Sequence, residues 1–107
     1  MKFKVQLIAF GEPGEIREVD VPEEKLMNLT IEQQLELVYL AGQNEFDPQH
    51  HASVSPGDVI EYEGEHWLIC EVAFRKMTQA GYDKYLGSDR VERFEALANL
   101  DEFCVGW

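Results

Sequence analysis

The side chains that most often carry chemistry are sparse in this chain, which has three histidines and two cysteines. Imidazole, thiolate and carboxylate groups are all zinc ligands. The candidate ligands are Glu45, Asp47, His50, His51, His66 and Cys70. Their spacing argues against a metal site, because adjacent histidines on a strand point to opposite faces and no HExxH or CxxC motif arranges ligands in advance. We therefore predict no metal and no cofactor.

Cys70 is the candidate nucleophile, since a thiol beside a histidine base can form a reactive thiolate. It lies within an apolar run that is typical of a strand, and negative charge nearby raises a thiol pKa. This context favours a buried, unreactive cysteine, and Cys104 has even less context. The chain contains no GxSxG motif, P-loop or dinucleotide fingerprint. The sequence therefore predicts no catalytic residue, and a small metal- or Cys/His-dependent hydrolase is only an alternative.

The segment GQNEFDP, residues 42–48, suits recognition of a partner, because amide side chains stand next to an aromatic anchor in a predicted loop. Tyr62 and Trp67 form a second aromatic pair that could anchor an interface. The candidate partner-binding residues are Gln43, Asn44, Phe46, Asp47, Tyr62 and Trp67. An architectural interpretation stays open for all of them: the loop caps and plugs the fold, and the aromatic rings pack on the sheet.

Charge narrows the classes of partner. With 9 basic and 21 acidic residues, the formal net charge is −12, which disfavours direct nucleic-acid binding because that binding depends on lysine and arginine neutralising phosphates. We expect a protein partner, and a homo-oligomer is also open. An acidic DNA mimic that blocks a DNA-binding enzyme is the alternative that the carboxylates suggest.

The length of 107 residues predicts one domain, 1–107. No run of eighteen apolar residues is present to span a bilayer, and the N-terminal apolar stretch lacks a signal-peptide cleavage site. Two cysteines without metal-ligand spacing are typical of free thiols in a reducing compartment. These features predict a soluble, cytoplasmic protein without a membrane partner.

The period of the apolar residues predicts an α+β fold with a small antiparallel sheet. Residues 2–10 and 15–21 read as an N-terminal hairpin. Thr30 and Gln33 form a capping box for an amphipathic helix that Gly42 ends in the left-handed conformation. Its apolar face is predicted to contain Ile31, Leu35, Val38, Tyr39 and Ala41.

The middle of the chain predicts barrel-like strands. Ser55-Pro56-Gly57-Asp58 fits a type II turn, and strands over residues 59–62 and 67–72 flank a tight turn at Glu63-Gly64. That turn places Glu61 opposite His66, Ile60 opposite Trp67 and Val59 opposite Leu68.

A helical C-terminal region follows. We predict a helix over residues 78–86 and a final helix capped by Ser88. The inward face of the final helix is expected to hold Val91, Phe94, Leu97 and Ala98. The alternation of Phe103, Val105 and Trp107 indicates a short edge strand, which could pair with another copy, or a segment docked on the core.

Residues 42–77 read GQNEFDPQHHASVSPGDVIEYEGEHWLICEVAFRKM. They resemble a group of small bacterial, phage and plasmid-borne proteins that combine a GQN-acid-F-x-P segment with an SVSxGDVI segment and a short hairpin. That group has no assigned activity. The resemblance covers about a third of the chain and implies a mobile-element setting, and it supplies no catalytic residues. Because the sequence shows no catalytic constellation and combines an acidic composition with a polar and aromatic loop, the leading hypothesis is a non-enzymatic protein-interaction or accessory module.

Overall fold

A computed structural model describes residues 1–9, 15–42, 54–71 and 73–105, and of Arg90 the backbone alone. Its five strands form one antiparallel sheet in the order β2-β1-β3-β4-β5. The strands are β1 Lys2–Gln6, β2 Ile16–Asp20, β3 Val59–Tyr62, β4 Glu65–Ile69 and β5 Phe74–Lys76. The helices are α1 Glu23–Leu26, α2 Ile31–Ala41, α3 Gln79–Leu86 and α4 Arg90–Ala96, followed by a 3-10 helix at Leu100–Glu102. The predicted α+β class is confirmed, but the sheet is open, with β2 and β5 at its edges, and does not close into a barrel.

The N-terminal hairpin is shorter than the pattern predicts. β1 ends at Gln6 because the Ile8 N–H turns back to the Gln6 carbonyl oxygen at 3.1 Å instead of extending the ladder. Phe10, the predicted end of the strand, lies outside the described residues. On β2 and just after it, Val19 and Val21 are both buried, as their alternation predicts.

The second hairpin has the predicted turns. The Asp58 N–H donates to the Ser55 carbonyl oxygen at 3.0 Å, and Gly57 has the positive φ, 98°, that the third residue of a type II turn requires. Glu63 and Gly64 both have positive φ, as a type I′ turn requires. The predicted register is confirmed: Val59 faces Leu68, Ile60 faces Trp67 and Glu61 faces His66. The pattern does not predict β5, because three residues show too little alternation.

Helix α2 begins as predicted and ends differently. The Thr30 hydroxyl accepts from the Gln33 N–H at 3.2 Å, and the Gln33 side chain accepts from the Thr30 N–H at 3.0 Å, which completes the capping box. Gly42 ends the helix at φ −82°, so the expected left-handed conformation is wrong. Space explains the glycine instead: a Cβ at this position would lie 2.4 Å from Val54 Cγ2.

The sheet separates two hydrophobic clusters, one on each of its faces. The first cluster packs Leu35 and Val38 of α2 against one face of the sheet. Its other buried members are Phe3, Val5, Leu7, Val19, Val21, Leu26, Val54, Ile60, Tyr62 and Ile69. The second cluster packs Tyr85 of α3 against the opposite face. Its other buried members are Ile8, Val59, Leu68, Met77, Ala96, Phe103 and Cys104. Alternation along the strands therefore supplies apolar side chains to both helical layers.

Helix α4 departs from two predictions. Its N-cap is Asp89 rather than Ser88, and the Asp89 carboxylate accepts from the Glu92 N–H at 2.8 Å. The predicted inward face is also wrong, because Val91 and Phe94 are 66% and 50% exposed. Arg93 takes the inward position together with Ala96, and its guanidinium donates to the Ser88 carbonyl oxygen.

The end of the described chain docks onto β5. Cys104 forms an isolated bridge with Met77, and the Val105 N–H donates to the Lys76 carbonyl oxygen at 2.8 Å. Arg75 donates to the Val105 carbonyl oxygen at 2.7 Å. Of the two predicted forms, the docked segment is the one observed; Trp107 lies outside the described residues. Within the described part of the chain, no helix has the length and apolar character needed to cross a membrane.

Candidate functional site

A groove of about 540 Å³ lies between α2 and the connection from β4 to β5. One wall is the polar side of α2, and the other wall is the tip of the β4–β5 hairpin, where the Cys70 N–H donates to the Ala73 carbonyl oxygen at 2.9 Å. Its lining residues are Thr30, Glu32, Gln33, Glu36, Tyr39, Pro56, Ile69, Cys70, Glu71, Ala73 and Phe74. The groove thus joins chain segments that are far apart in sequence.

The groove is negatively charged. Glu32 and Glu36 stand one turn apart on α2, Glu71 comes from the hairpin tip, and all three are exposed. Like charges four residues apart on a helix destabilise it slightly. Among the described lining residues there is no lysine or arginine. A cation placed in the groove would relieve this repulsion.

Two aromatic rings add a second feature to the groove. Tyr39 of α2 and Phe74 of β5 meet edge to face, with ring centroids 6.5 Å apart and an interplanar angle of 69°. Both side chains are half-buried at the margin of the first hydrophobic cluster. Aromatic rings attract a guanidinium or ammonium group through their quadrupole, and arginine takes this position more often than lysine. Carboxylates and rings together match the chemistry of an arginine side chain.

Asp58 fixes the turn over residues 55–58, which contributes Pro56 to the lining of the groove. Its carboxylate accepts from the Ala9 N–H at 2.9 Å and from the Ser55 N–H at 2.8 Å, and the residue is 2% exposed. Burial raises the pKa of Asp58 to about 6, although the backbone N–H groups that it accepts from act in the opposite direction. The adjacent Gly57 N–H donates to the Ile69 carbonyl oxygen at 2.7 Å, which ties this turn to β4.

The structure places the two described partner-binding candidates on the sheet, and neither lines the groove. Tyr62 is 8% exposed, stacks on Phe3 with centroids 6.0 Å apart, and donates its hydroxyl to Gln34 Oε1 at 2.9 Å. Trp67 is half-buried against the first cluster, and its indole N–H has no hydrogen-bond partner among the described residues. The other candidates, Gln43, Asn44, Phe46 and Asp47, lie outside the described residues.

The cysteine in the groove is poorly suited to nucleophilic chemistry. Cys70 is half-buried, and burial raises the pKa of its thiol to about 11, with a smaller contribution from Cys104. Burial also raises the pKa of Cys104. Both thiols therefore stay protonated at neutral pH, and a thiolate is the form that attacks.

The histidines form no metal centre within the described ranges, where no group of three potential ligands lies close enough to hold an ion. His66 Nε2 lies 3.4 Å from Glu61 Oε1, so the predicted cross-strand pair is confirmed. The His66 ring stacks on Tyr82 with centroids 3.6 Å apart. His50 and His51 lie outside the described residues.

Sequence reasoning missed the groove. Glu32 and Glu36 stand on the polar side of a correctly predicted helix, and their like charges at a spacing of four are a local signal that was available. Glu71 and Phe74 carry no such signal, because their place opposite α2 depends on β5, which the pattern does not predict.

Comparison of the chain with family models, with curated proteins and with solved structures gives no match in any of the three. The functional argument therefore depends on the chemistry of the groove itself.

Proposed function

We propose that this protein is a non-enzymatic protein-interaction module that binds a positively charged, arginine-containing segment of a partner protein in the groove between α2 and the β4–β5 connection. One observation carries the proposal: three carboxylates and an edge-to-face pair of rings share a lining that has no lysine or arginine among its described residues. An arginine there would gain ion pairing and stacking at once.

The composition of the groove supports a peptide more than a small metabolite. Its volume falls within the range of ligand pockets, but such pockets are predominantly apolar with a few placed polar groups. Here the carboxylates of Glu32, Glu36 and Glu71 are exposed, so each ion pair stays partly hydrated and contributes little. Several such pairs along an extended chain would provide a weak, salt-sensitive contact of the kind that accessory proteins use.

With the resemblance of residues 42–77 to phage and plasmid proteins, we propose an accessory role on a mobile element and a cytoplasmic location. The DNA mimic stays an alternative, although several exposed carboxylates are already paired with lysines. These pairs are Glu18 with Lys2, Glu65 with Lys76, and Glu102 with Lys84. The hydrolase alternative is weakened by the raised thiol pKa of Cys70.

The test is a calorimetric titration of the full chain with three peptides of one length, in which the central charged residues are arginine, lysine or glutamate. We expect the arginine peptide to bind best, the lysine peptide more weakly and the glutamate peptide not at all. Replacing Glu32, Glu36 and Glu71 together by glutamine keeps the shape of the groove and should weaken arginine-peptide binding about tenfold, because each exposed pair contributes roughly 0.2–1 kcal/mol.

The matched control combines Glu23→Gln, Glu24→Gln and Glu95→Gln, which removes three exposed carboxylates outside the groove. If the control variant weakens binding as much as the groove variant does, peptide binding depends on the net charge of the whole protein, and the proposed site is wrong. Phe74→Leu separates the two features of the groove: it should reduce the preference for arginine over lysine and leave the salt dependence unchanged.

A further inference from the structure

The two edges of the sheet are finished differently. At β5 the Val105 N–H donates to the Lys76 carbonyl oxygen at 2.8 Å, and the Thr78 N–H donates to the Phe103 carbonyl oxygen at 3.0 Å. The C-terminal segment therefore covers the Lys76 end of that edge. At β2, no described strand or bridge lies on the outer side. An uncovered edge presents a row of backbone donors and acceptors that another strand can pair with.

The ladder between β1 and β2 shows which backbone groups of β2 point outward. The Leu7 N–H donates to the Glu15 carbonyl oxygen, and the Val21 N–H donates to the Met1 carbonyl oxygen, both at 2.9 Å. Hydrogen-bonded pairs alternate along an antiparallel ladder. The N–H and C=O groups of the intervening residues 16, 18 and 20 therefore face away from β1, and no bond to them is found within the described ranges.

The side chains at this edge indicate the charge of its partner. Glu18 and Asp20 project from the exposed face, with side chains that are 59% and 68% exposed. On the β1 side, the register places Lys4 opposite Glu18 and Lys2 opposite Asp20, and Lys2 Nζ lies 4.0 Å from Glu18 Oε2. Cross-strand pairs of opposite charge stabilise a sheet. A second strand with basic residues at alternate positions would repeat this pairing on the outer side.

A second copy of the chain fits the edge less well. If two copies of β2 paired about Glu18, each Glu18 would face its equivalent, and like charges directly opposite one another are destabilising. The two copies would also bring together two chains of net charge −12.

We propose that the outer edge of β2 accepts an extended, basic segment of a partner protein as an additional antiparallel strand. This proposed binding site is separate from the groove, because β2 is the edge strand farthest from β5 in the sheet, whereas the groove lies beside the β4–β5 connection. Backbone hydrogen bonds provide the contact in this mode of recognition, and the alternating side chains provide its specificity.

The probe is a capped synthetic peptide with the β1 sequence KFKVQ, titrated into the full chain. A second peptide carries methyl groups on the backbone nitrogens of both lysines, which keeps its charge and removes the donors that would pair with β2. We expect the methylated peptide to bind about tenfold more weakly or worse. Hydrogen exchange should slow at the N–H groups of Glu18 and Asp20 when the unmethylated peptide binds.

Two variants of one residue separate backbone pairing from charge. Glu18→Pro removes an outward N–H that β1 does not use, and proline is tolerated on an edge strand; this variant should lose binding of KFKVQ. Glu18→Lys keeps the outward N–H and reverses the charge at this one position, so it should bind KFKVQ more weakly and show a smaller preference for KFKVQ over the peptide EFEVQ. It also serves as the test if circular dichroism shows that Glu18→Pro is unfolded.

The groove variant with glutamine at positions 32, 36 and 71 separates this proposal from the proposed function, because it should bind KFKVQ normally. Binding that is lost in the groove variant and kept in Glu18→Pro would overturn the edge proposal and leave the groove intact. Equal binding of the methylated and unmethylated peptides would also overturn it. So would a dimer of the unliganded chain that Glu18→Pro converts to a monomer, because the occupant would then be a second copy.

Discussion

Replacing Asp58 by asparagine should change how the stability of this protein depends on pH. The Asp58 carboxyl group is 2% exposed and holds two backbone N–H groups, those of Ala9 and Ser55. Burial favours the protonated form, whereas the two hydrogen bonds favour the carboxylate. Burial is the larger effect, and the pKa rises from its ordinary value of 3.8 to about 6.

The raised pKa fixes the sign of the effect. A group with a higher pKa in the folded than in the unfolded state contributes stability below its unfolded pKa, and this contribution is lost as the pH rises through the folded pKa. For Asp58 the window runs from 3.8 to about 6. At about 1.4 kcal/mol per pKa unit, this carboxyl group removes roughly 3 kcal/mol of folding free energy across the window. Asparagine cannot ionise, so the variant should lack this loss.

Urea denaturation followed by circular dichroism, repeated between about pH 4.5 and 7.5, measures the effect. The free energy of unfolding of Asp58→Asn should rise relative to that of the unmodified chain across this range by roughly 2 kcal/mol, because about a third of the total change lies below pH 4.5. The fit of the asparagine amide adds a constant that does not change with pH. Asp83→Asn, which replaces an exposed carboxyl group by the same amide, is the matched control variant. A gap between Asp58→Asn and the unmodified chain that stays constant, or changes in the opposite direction, would refute the reasoning, since the hydrogen bonds would then outweigh burial.

Three further experiments test a close contact at Gly81, the cap of helix α2 and the reactivity of Cys70. Gly81→Ala should destabilise the fold by about 2–4 kcal/mol in urea, because its Cβ would lie 2.1 Å from the Phe103 carbonyl oxygen; equal losses for Gly81→Ala and the unobstructed Gly87→Ala would contradict this. Thr30→Ala should cost about 1 kcal/mol by removing the helix cap, and the rescue variant Thr30→Ser should recover most of it; no loss would show that the cap is unimportant. Iodoacetamide should modify Cys70 about a hundredfold more slowly in the folded than in the urea-unfolded chain, because its pKa is raised from 9.0 to about 11; mass spectrometry of the Cys70 peptide would reveal a reactive thiol if the rates were equal.

The features that follow from neighbouring residues are the ones that the sequence predicts well. Proline and glycine dictate the turn at residues 55–58, and a two-residue turn at Glu63-Gly64 sets the register of the strands on either side. The capping box of Thr30 and Gln33 is equally local. Each of these depends on backbone conformations that a few residues decide by themselves.

The features that depend on tertiary contacts are those that the sequence does not predict. Hydrophobic period alone turns Phe94 inward on α4, but the buried guanidinium of Arg93 takes that place and binds the Ser88 carbonyl oxygen. Gly42 looks like a left-handed cap, yet its small size matters because Val54 approaches closely. The groove is hidden for the same reason: its walls meet only after Phe74 has been placed in an edge strand opposite α2.

The burial of arginine has a consequence for the outside of the molecule. Arg17, Arg75 and Arg93 are 8%, 5% and 7% exposed, and their guanidinium groups donate to the backbone carbonyl oxygens of Gly42, Val105 and Ser88, respectively. Lysine side chains therefore provide most of the positive charge on the described surface of the molecule. Trypsin should cut the folded chain after exposed lysines such as Lys25 and spare these three arginines, and phenylglyoxal should react with them only once the chain has unfolded.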